Sequence, residues 1–472
     1  MKKLQLFFII LFFCMLSVPL VLFNTESNVV SPIDNRALTE FPIGEGRDES
    51  MPFFTQLNSY IDDRIGLRNE MIELFTLAND KLFGEMIHPL YMYGEEGYVF
   101  RQTDSNVEYG SFHREFADAV IRMNEYCRER NVPFVFVLDP EKEAVYTEYL
   151  PDDISYDGSW VDEMTAYLTE NGVICVDTTD VLTEKKNQGE VVFNKQYNAG
   201  HWNDLGAFYG ANEVLTALGE LMPNVRANLL SEYNITDKLN TTLQVSKFPI
   251  HEYEPEFALI DRQVTNLTDI YNTELELHPQ YRYFYYIQND KRASEGAPSA
   301  LVFQGSYYIG MGYKFFENAF SEYAAVHDYQ NVIDLDYYFN VFTPDCVIFE
   351  VAQYTFLETY FSIGRMSAKR YSPTLAAFGS YSETARPSEE LSLRTDIGSC
   401  LADISVSVGS DIDHVYLVTA DAEYDFYSIK DGVAALTVKT ENLPGTDYRI
   451  VCVDKDSQTK LVYEFDTKST QS

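Results

Sequence analysis

The sequence predicts an α/β protein with a mainly parallel sheet flanked by helices, one transmembrane helix before it, and a small antiparallel β-sandwich-like domain after it. Three observations support this prediction. The N-terminus holds an uncharged apolar run, the middle of the chain alternates short apolar runs with helical patterns, and the last part alternates polar and apolar residues. We therefore divide the chain into a membrane anchor (1–24), a juxtamembrane spacer (25–50), an α/β domain (51–390) and a C-terminal β domain (395–472).

The apolar run from Leu4 to Phe23 contains no charged side chain and follows Lys2 and Lys3. As a helix it is roughly 30 Å long, which matches the hydrocarbon core of a bilayer. Lysines before the run favour a cytoplasmic N-terminus, so we expect a single-pass protein of the cell membrane whose bulk is extracytoplasmic. A cleaved signal peptide is the alternative. The end of the run, Val-Leu-Phe-Asn-Thr-Glu, offers no small-x-small cleavage site, which favours a retained anchor.

The chain is strongly acidic, with a formal net charge of −38 over 472 residues. A polyanion repels such a protein, so nucleic acid is excluded as a partner and docking on anionic lipid is disfavoured. The cysteines show no metal-ligand spacing, and we expect neither a metal nor a cofactor. Cys400 and Cys452 share the C-terminal domain and are candidates for a disulfide. Cys127, Cys175 and Cys346 fall in apolar patterns, so we expect them in the core.

The first elements after the spacer are a helix and a hairpin. Apolar residues that recur every three or four positions predict a helix over Met51–Leu82. Two short strands, Leu90–Tyr93 and Tyr98–Phe100, flank the turn sequence Gly94–Gly97, and this arrangement predicts a β-hairpin.

From residue 112 the pattern alternates amphipathic helices with fully apolar strands. It predicts a helix over Phe112–Arg130, a strand over Phe134–Leu138, a helix over Val161–Glu170, a strand over Val173–Val176 and a helix over Asp204–Leu221. After an irregular acidic stretch it predicts a strand over Ala300–Gln304, a helix over Tyr313–Tyr323, and strands over Val332–Leu335 and Cys346–Val351. Short apolar strands separated by helices are typical of a mainly parallel α/β sheet.

Beyond residue 395 the apolar residues alternate with polar ones. The pattern predicts strands at 404–408, His414–Val418, Ala434–Val438, Tyr448–Val453 and Leu461–Phe465. Turn signals at Asp431-Gly432 and Pro444-Gly445 separate the later strands. Short strands at this spacing are typical of an antiparallel sandwich.

Ser306 and His201 are the candidate catalytic residues. An open α/β sheet binds its ligand at the carboxyl ends of its strands. Gly305 and Ser306 follow the Ala300–Gln304 strand, and His201 comes after the Val173–Val176 strand and just before a helix. A serine at such a turn acts as a nucleophile when a base lies within hydrogen-bond reach. Without further information, a plain turn at Ser306 and a helix cap after His201 are the simpler interpretation.

Seven short motifs occur in order between Asp34 and Gln353. They are Asp34-Asn-Arg-Ala-Leu-Thr-Glu-Phe-Pro42, Asp62-Asp-Arg-Ile-Gly-Leu-Arg-Asn69, Tyr93-Gly-Glu-Glu-Gly-Tyr-Val-Phe100, Val137-Leu-Asp-Pro-Glu-Lys142, His201-Trp202, Leu301-Val-Phe-Gln-Gly-Ser-Tyr307 and Pro344-Asp-Cys-Val-Ile-Phe-Glu350. Their order and spacing resemble the extracytoplasmic SGNH-like proteins of the alginate O-acetyltransferase type (AlgJ and AlgX) and the related DHHW family. The resemblance implies that the α/β domain is SGNH-like.

The same resemblance implies acetyl transfer to a cell-surface or exported polysaccharide. Ser306 is the implied nucleophile and His201 the implied general base. Backbone N–H groups at the serine turn, Gly305 among them, are implied to hold the oxyanion of the tetrahedral intermediate. The implied acyl donor is a multispanning membrane-bound O-acyltransferase in the same membrane.

Three positions depart from the family's motifs. Ala199 stands where the family has the Asp that orients the imidazole, Gly305 stands where it has an Asp before the serine, and Ala352-Gln353 replaces a Glu-Arg pair. Loss of the orienting Asp costs a Ser-His-Asp triad about 10⁴ in turnover. Asn198 and Asp204 are the candidates to replace it, although Asn198 has no charge and Asp204 lies on the other side of the histidine.

Lys142 and Tyr307 are further candidates to support the site. Arg64, Arg68 and Lys142 recur in the resemblance, and the functional role it implies for them is contact with the sugar or the acyl carbonyl. A buried ion pair, such as Arg68 with Asp62 or Asp63, is the simpler interpretation. Tyr307 is a candidate platform for a sugar ring, with core packing as the alternative.

Two hypotheses follow from the sequence. The first is a membrane-anchored SGNH-like O-acyltransferase or esterase that acts on an extracytoplasmic glycan through a Ser-His dyad. The second is a catalytically inactive carbohydrate-binding or scaffold component of the same cell-envelope machinery. A Ser306 hydroxyl within about 3 Å of a His201 ring nitrogen favours the first, and side chains that point apart favour the second.

Overall fold

The computed structural model describes residues 2–33, 36–48, 51–102, 107–443 and 447–465. Asp34 and Asn35 of the first motif and the predicted turn at Pro444-Gly445 lie outside the described residues. The helices are α1 Lys2–Val21, α2 Phe53–Arg64, α3 Arg68–Phe83, α4 Ser111–Glu129, α5 Lys142–Val145, α6 Ser159–Glu170, α7 Thr179–Asn187, α8 Asp204–Leu221, α9 Thr268–Tyr271, α10 Asp290–Ser294, α11 Tyr313–Glu317, α12 Leu335–Phe342 and α13 Ile363–Ala368. The strands are β1 Val30–Ser31, β2 Arg36–Ala37, β3 Tyr91–Tyr93, β4 Val99–Arg101, β5 Phe134–Asp139, β6 Ile174–Asp177, β7 Tyr233–Thr242, β8 Pro249–Leu259, β9 Val264–Asn266, β10 Phe284–Asn289, β11 Ser299–Gln304, β12 Glu322–His327, β13 Cys346–Ala352, β14 Ser382–Arg386, β15 Leu393–Ile397, β16 Leu401–Ser407, β17 His414–Val418, β18 Glu423–Asp425, β19 Ser428–Lys430, β20 Val433–Lys439, β21 Tyr448–Asp454 and β22 Thr459–Phe465.

The central sheet has seven strands in the order β6-β5-β13-β11-β12-β10-β9. Its first five strands are parallel, and β10 and β9 complete one edge in the antiparallel sense. Strand β5 is buried along its whole length because helices cover both faces of the sheet. Its alternate side chains enter two separate cores, Phe134 and Phe136 on one face and Val135 and Val137 on the other. The predicted mainly parallel α/β fold is confirmed.

The carboxyl ends of three adjacent strands meet at one edge of this sheet. Strand β5 ends at Asp139, β11 leads into Gly305 and Ser306, and β13 leads into Gln353 and Tyr354. Strands β5, β13 and β11 are neighbours and run parallel, so these residues lie close together where an open sheet binds its ligand.

The helix predicted over Met51–Leu82 is two helices, α2 and α3. The break falls at Ile65–Leu67, where Leu67 adopts a left-handed backbone conformation with φ 62°. The Gly66 amide donates a hydrogen bond to the Pro19 carbonyl oxygen at 3.0 Å. A side chain at position 66 would collide with Leu22, so the close approach of α1 to this junction requires glycine. The periodicity continues across the break, which is why the sequence pattern did not reveal it.

Three further predictions between residues 222 and 342 need correction. The stretch interpreted as irregular contains the long β7–β8 hairpin and the sheet strand β10. Strand β7 has almost no buried side chain, so it lacks the apolar alternation that marks a strand. The helix predicted over Tyr313–Tyr323 ends at Glu317, and Tyr323 belongs to β12. The strand predicted over Val332–Leu335 is a helical turn that leads into α12, because a short apolar run fits either structure.

The C-terminal part forms two sheets, β14-β22-β21-β17-β18 and β15-β16-β20-β19. All neighbouring strands in them are antiparallel except β14 and β22. Ile404 and Leu436 of one sheet share a core with Leu417 and Ile450 of the other. Cys400 and Cys452 are both free and buried, so the candidate disulfide is not formed.

Candidate active site

Ser306 lies where β11 turns into a helical segment. The strand is buried, and the segment after it continues as a π-helix over Tyr308–Gly312 before α11 begins. The Ile309 amide donates to the Gly305 carbonyl oxygen at 3.0 Å, which closes the turn around the serine. Single π-turns of this kind are frequent at functional sites. The apolar sheet therefore presents the Ser306 hydroxyl at its carboxyl edge.

His201 lies in the loop that precedes α8, and its two following residues hold it in place. Asn203 caps α8, since its side-chain oxygen accepts hydrogen bonds from the amides of Leu205 and Gly206, both at 3.0 Å. Trp202 is completely buried, and its indole N–H donates to the carbonyl oxygen of Tyr307 at 3.2 Å. The loop is thus fixed directly to the segment that carries Ser306.

The two candidate catalytic side chains are in hydrogen-bond contact. His201 Nε2 lies 2.8 Å from Ser306 Oγ. Burial, assisted by the positive charge of Arg101, lowers the pKa of His201 to about 4. The imidazole is therefore neutral at neutral pH, which is the form that a general base requires.

Asn198 holds the other side of the imidazole. Its side-chain oxygen lies 3.0 Å from His201 Nδ1, so Nδ1 carries the proton and Nε2 is left to accept the Ser306 hydroxyl proton. Asn198 has a left-handed backbone with φ 51°, a conformation that asparagine adopts more readily than most residues. Asp204 does not orient the histidine, because its carboxylate pairs with Lys314 at 2.6 Å and accepts the Phe257 amide at 2.8 Å.

Tyr354 is a third member of the site that the sequence reasoning missed. Its hydroxyl lies 2.6 Å from Ser306 Oγ and 3.5 Å from His201 Nε2. The guanidinium of Arg101 lies over its ring, 4.8 Å from the ring centre. Burial raises the pKa of Tyr354 to about 12, so its hydroxyl keeps its proton at neutral pH. The signal was available, since Tyr354 follows β13 at the same sheet edge as Ser306.

Gly305 departs from its expected role in the oxyanion site. Its amide already donates a hydrogen bond to a carboxylate oxygen of the buried Glu350 at 2.6 Å, so this donor is not directed at an oxyanion. A side chain here would place its Cβ 3.5 Å from an oxygen of Asp328 and 3.6 Å from one of Glu350. An aspartate would add a further carboxyl group to that buried acidic cluster, which explains why glycine is tolerated. The amides of Ser306 and Tyr307, at the start of the helical segment, are then the backbone candidates for the oxyanion.

Lys142 and Tyr307 support the histidine loop from inside the protein. Lys142 is fully buried and donates to the carbonyl oxygens of Val99, Asn194 and Lys195 at 2.7, 2.6 and 3.0 Å. Burial lowers the pKa of its ammonium group to about 7. The Tyr307 hydroxyl donates to the carbonyl oxygen of Gly200 at 3.0 Å.

The sequence-based roles of these basic and aromatic residues need correction. Lys142 forms no ion pair among the described residues, and it binds the backbone instead of a sugar. Asp63, the expected partner of Arg68, pairs with Arg36 at 2.6 Å. Tyr307 is completely buried, so it offers no face for a sugar ring.

A cleft of about 250 Å³ opens beside the dyad, with Gly200 and Tyr354 in its wall. Its other walls carry aromatic and ionisable side chains, among them Arg101, Glu141, Glu143, Tyr156, Trp160 and Tyr360. Burial raises the pKa of Glu141 to about 7 and that of Glu143 to about 8. Aromatic walls with a few polar groups are typical of small-molecule sites. Within the described part of the chain, no group of three His, Cys, Asp or Glu residues is placed to hold a metal ion.

Residues 92–244 match the family described as the SGNH hydrolase-like domain of the acetyltransferase AlgX. The match confirms the resemblance that the motifs indicated. The matched segment begins inside β3 and includes the rest of the β3–β4 hairpin, β5, Lys142 and the His201 loop. It ends before Ser306. None of the curated proteins matches this chain significantly in sequence.

Several solved structures resemble this protein. Bacillus cereus PatB1 with a sulfonyl adduct is 17% identical with a TM-score of 0.43, over 56% of this chain and 94% of that one. The O-acetyltransferase domain of Pseudomonas putida AlgJ is 14% identical with a TM-score of 0.40, over 60% of this chain and 100% of that one. A DHHW family protein from Eubacterium siraeum is 16% identical with a TM-score of 0.40, again over 60% and 100%.

Proposed function

We propose that this chain is a membrane-anchored extracytoplasmic O-acyltransferase that acylates hydroxyl groups of a cell-surface or exported polysaccharide through Ser306 and His201. The observation that carries the proposal is the 2.8 Å contact between Ser306 Oγ and His201 Nε2, with an imidazole that is neutral at neutral pH. The match of residues 92–244 to an SGNH-like acetyltransferase domain supports the same reaction class.

In the first half-reaction Ser306 Oγ bonds to the carbonyl carbon of the acyl donor, and its proton passes to His201 Nε2. The bond to the leaving group then breaks, and the leaving group takes that proton from His201. The amides of Ser306 and Tyr307 and the Tyr354 hydroxyl are the donors placed to stabilise the oxyanion. In the second half-reaction a sugar hydroxyl attacks the acyl-serine and gives its proton to His201, which returns it to Ser306 as the ester bond breaks.

Asn198 performs part of the role of the missing aspartate. Its side-chain oxygen accepts the Nδ1 proton and so selects the tautomer that the reaction needs. A neutral amide does not stabilise the imidazolium that forms in the transition state, whereas a carboxylate does. We therefore expect an active enzyme that turns over more slowly than one with a complete triad.

The helix α1 supplies the proposed link to the membrane. It is the one described helix that is long and apolar enough to cross a bilayer, and a signal sequence has the same properties. A retained anchor keeps the Ser306 site near the membrane surface. A membrane-bound O-acyltransferase in the same bilayer is the proposed source of the acyl group.

The second candidate is an inactive carbohydrate-binding or scaffold protein of the same machinery. Ala199 favours it, because no carboxylate contacts the imidazole in the described site. The cleft walled by Tyr156, Trp160 and Tyr360 would serve sugar binding in either case.

Turnover of an activated acetyl ester separates the two candidates. The purified full chain in detergent is compared with Ser306→Ala and with Ser410→Ala, an exposed serine in a turn of the C-terminal part. We expect Ser306→Ala to lose the activity and Ser410→Ala to keep it. Equal turnover by all three proteins removes Ser306 from the mechanism and favours the binding protein.

A further inference from the structure

Helices α2 and α3 are amphipathic with their polar side inward. The buried residues of α2 are Gln56, Asp63 and Arg64, and the only buried residue of α3 is Thr76. A helix on the surface of a soluble protein shows the opposite arrangement, with its apolar stripe toward the core.

Polar contacts hold the inward side of these helices. Asp63 pairs with Arg36 at 2.6 Å on the α2 side. On α3, Glu73 accepts the Lys247 amide at 2.6 Å, and Asp80 accepts the Tyr93 hydroxyl at 2.8 Å. The orientation of both helices is thus set by specific hydrogen bonds and ion pairs, and large apolar side chains on their other side are exposed.

Large exposed apolar residues occupy the outward side of both helices and their junction. We call this surface the helix-pair face, and its members are Phe53, Phe54, Ile61, Leu67, Met71, Leu74, Phe75, Leu82 and Phe83. Phe54 is 75% exposed, Leu74 68% and Leu82 72%. On α3 the exposed apolar residues recur at three- and four-residue spacing, which gives a stripe along the helix. Exposed apolar patches of this kind mark protein or membrane contact sites.

The helix-pair face is attached to the end of α1. The Gly66 amide donates to the Pro19 carbonyl oxygen at 3.0 Å, and the Asn24 amide donates to the Arg64 carbonyl oxygen at 2.9 Å. The rings of Phe23 and Tyr60 lie 5.6 Å apart. The junction of α2 and α3 therefore begins where the proposed membrane span ends, so a bilayer that contains α1 lies next to this face.

We propose that the helix-pair face lies in the outer interface of the bilayer that α1 enters. The proposal rests on the anchoring proposed above. Apolar burial is the driving force, because the face carries aromatic and aliphatic side chains and the protein as a whole is acidic. The bilayer is favoured over a second protein because the bond from Gly66 to Pro19 of α1, and the bond from Asn24 just after α1 to Arg64, hold the junction of α2 and α3 beside the end of the proposed membrane span. Such seating would fix the distance and tilt of the catalytic domain above the membrane.

Depth-dependent fluorescence tests the proposal on the full chain. Three tryptophan variants are reconstituted into phosphatidylcholine vesicles with plain lipids, with lipids brominated near the headgroup end of the acyl chains, or with lipids brominated near the methyl end, which lies at the depth of the middle of α1. Phe75→Trp reports on the helix-pair face, Phe12→Trp reports on α1, and Ile397→Trp, at a site 65% exposed in the C-terminal part, reports on water. The native Trp160 and Trp202 are buried and give a constant background.

We expect brominated lipid to quench Phe75→Trp about twofold and leave Ile397→Trp unchanged, because interfacial helices sit 5–10 Å into the headgroup boundary. Quenching of Phe12→Trp alone overturns the proposal and leaves the anchoring intact. A Phe75→Trp emission that is blue-shifted but unquenched also overturns it, since it reports contact with protein. No quenching at either position contradicts the anchoring and the proposal together.

Discussion

The nucleophile and the base of the candidate site are held in different ways. Ser306 follows β11, a strand in the middle of the sheet whose central residues Ala300–Phe303 are apolar and buried, so packing in both cores positions it. His201 lies in a loop that polar groups help to hold. Lys142 donates to the carbonyl oxygens of Asn194 and Lys195, and Tyr307 donates to that of Gly200. Asn198 binds the His201 ring. The serine side is fixed by burial of apolar surface, whereas the histidine side combines the buried Trp202 with a set of hydrogen bonds, each of which a single substitution removes.

The largest expected effect comes from His201→Ala. This variant removes the base and leaves the serine side unchanged, so turnover of an activated acetyl ester should fall on the order of 10³-fold or more. The protein should stay folded at the assay temperature, because the buried strand β11 that carries Ser306 is held by packing in both cores, although the ring contacts of His201 with Tyr307 and Tyr354 are lost. Steady-state rates and thermal melts of the same preparation check both points. Unchanged turnover would contradict the role of His201.

Lys142→Met tests whether hydrogen bonds hold the histidine side. The variant leaves the carbonyl oxygens of Val99, Asn194 and Lys195 without their donor, which should lower the free energy of unfolding by about 3 kcal/mol. Because the loop also loosens, turnover should fall more than stability alone explains at a temperature where the variant is folded. Val302→Ala in β11 is the matched control, since it should cost stability through a cavity with the dyad kept.

Asn198→Asp and Ala199→Asp separate two ways to restore a carboxylate. Asn198 already contacts His201 Nδ1, so an aspartate there adds the missing charge and should raise turnover about tenfold. Ala199 is completely buried in an apolar cluster with Met86 and Tyr91, so Ala199→Asp should lower the melting temperature and give no gain. Rates and melts of both variants measure the difference. A gain at position 199 alone would show that the histidine is oriented differently.

Tyr354→Phe addresses a hydroxyl that lies close to both Ser306 Oγ and His201 Nε2. Loss of a hydroxyl 2.6 Å from Ser306 Oγ should reduce kcat about tenfold, the value of one good hydrogen bond. The KM for a small acetyl ester should stay constant, since the ring remains in the cleft wall. An effect on KM alone would instead assign Tyr354 to substrate binding.

The pH dependence should reveal the buried position of the base. Because burial and Arg101 depress the His201 pKa from 6.5 to about 4, the neutral form persists to lower pH than in an exposed histidine. The value of kcat/KM should therefore rise with pH through about 4 and stay level near neutrality. Arg101→Gln removes the nearby positive charge and should move this limb to higher pH. A limb near pH 6.5 in the wild type would contradict a buried imidazole.

The sequence predicted well the parts of the protein that apolar packing determines. Strands β5, β11 and β13 are mostly apolar, with Glu350 the polar residue inside β13, and the position of Ser306 follows from the end of β11. The β7–β8 hairpin has mostly exposed side chains and so gave no periodic signal. Asn198 was recognised as a candidate but its contact with Nδ1 depends on a left-handed backbone, which sequence patterns do not encode. Tyr354 was missed although its position just after β13 could be read from the sequence, because its contact with Ser306 also requires that β13 and β11 are neighbours.

The most direct test of the account is the detection of the acyl-enzyme. The full chain is mixed rapidly with an activated acetyl ester, quenched in acid and digested, and the peptide that contains Ser306 is examined by mass spectrometry. We predict one acetyl group on Ser306 in the wild type, more of it in the steady state when acceptor sugar is absent, and none in His201→Ala at the same time point. Turnover of the ester with no acetyl group on Ser306 at any time would contradict the account.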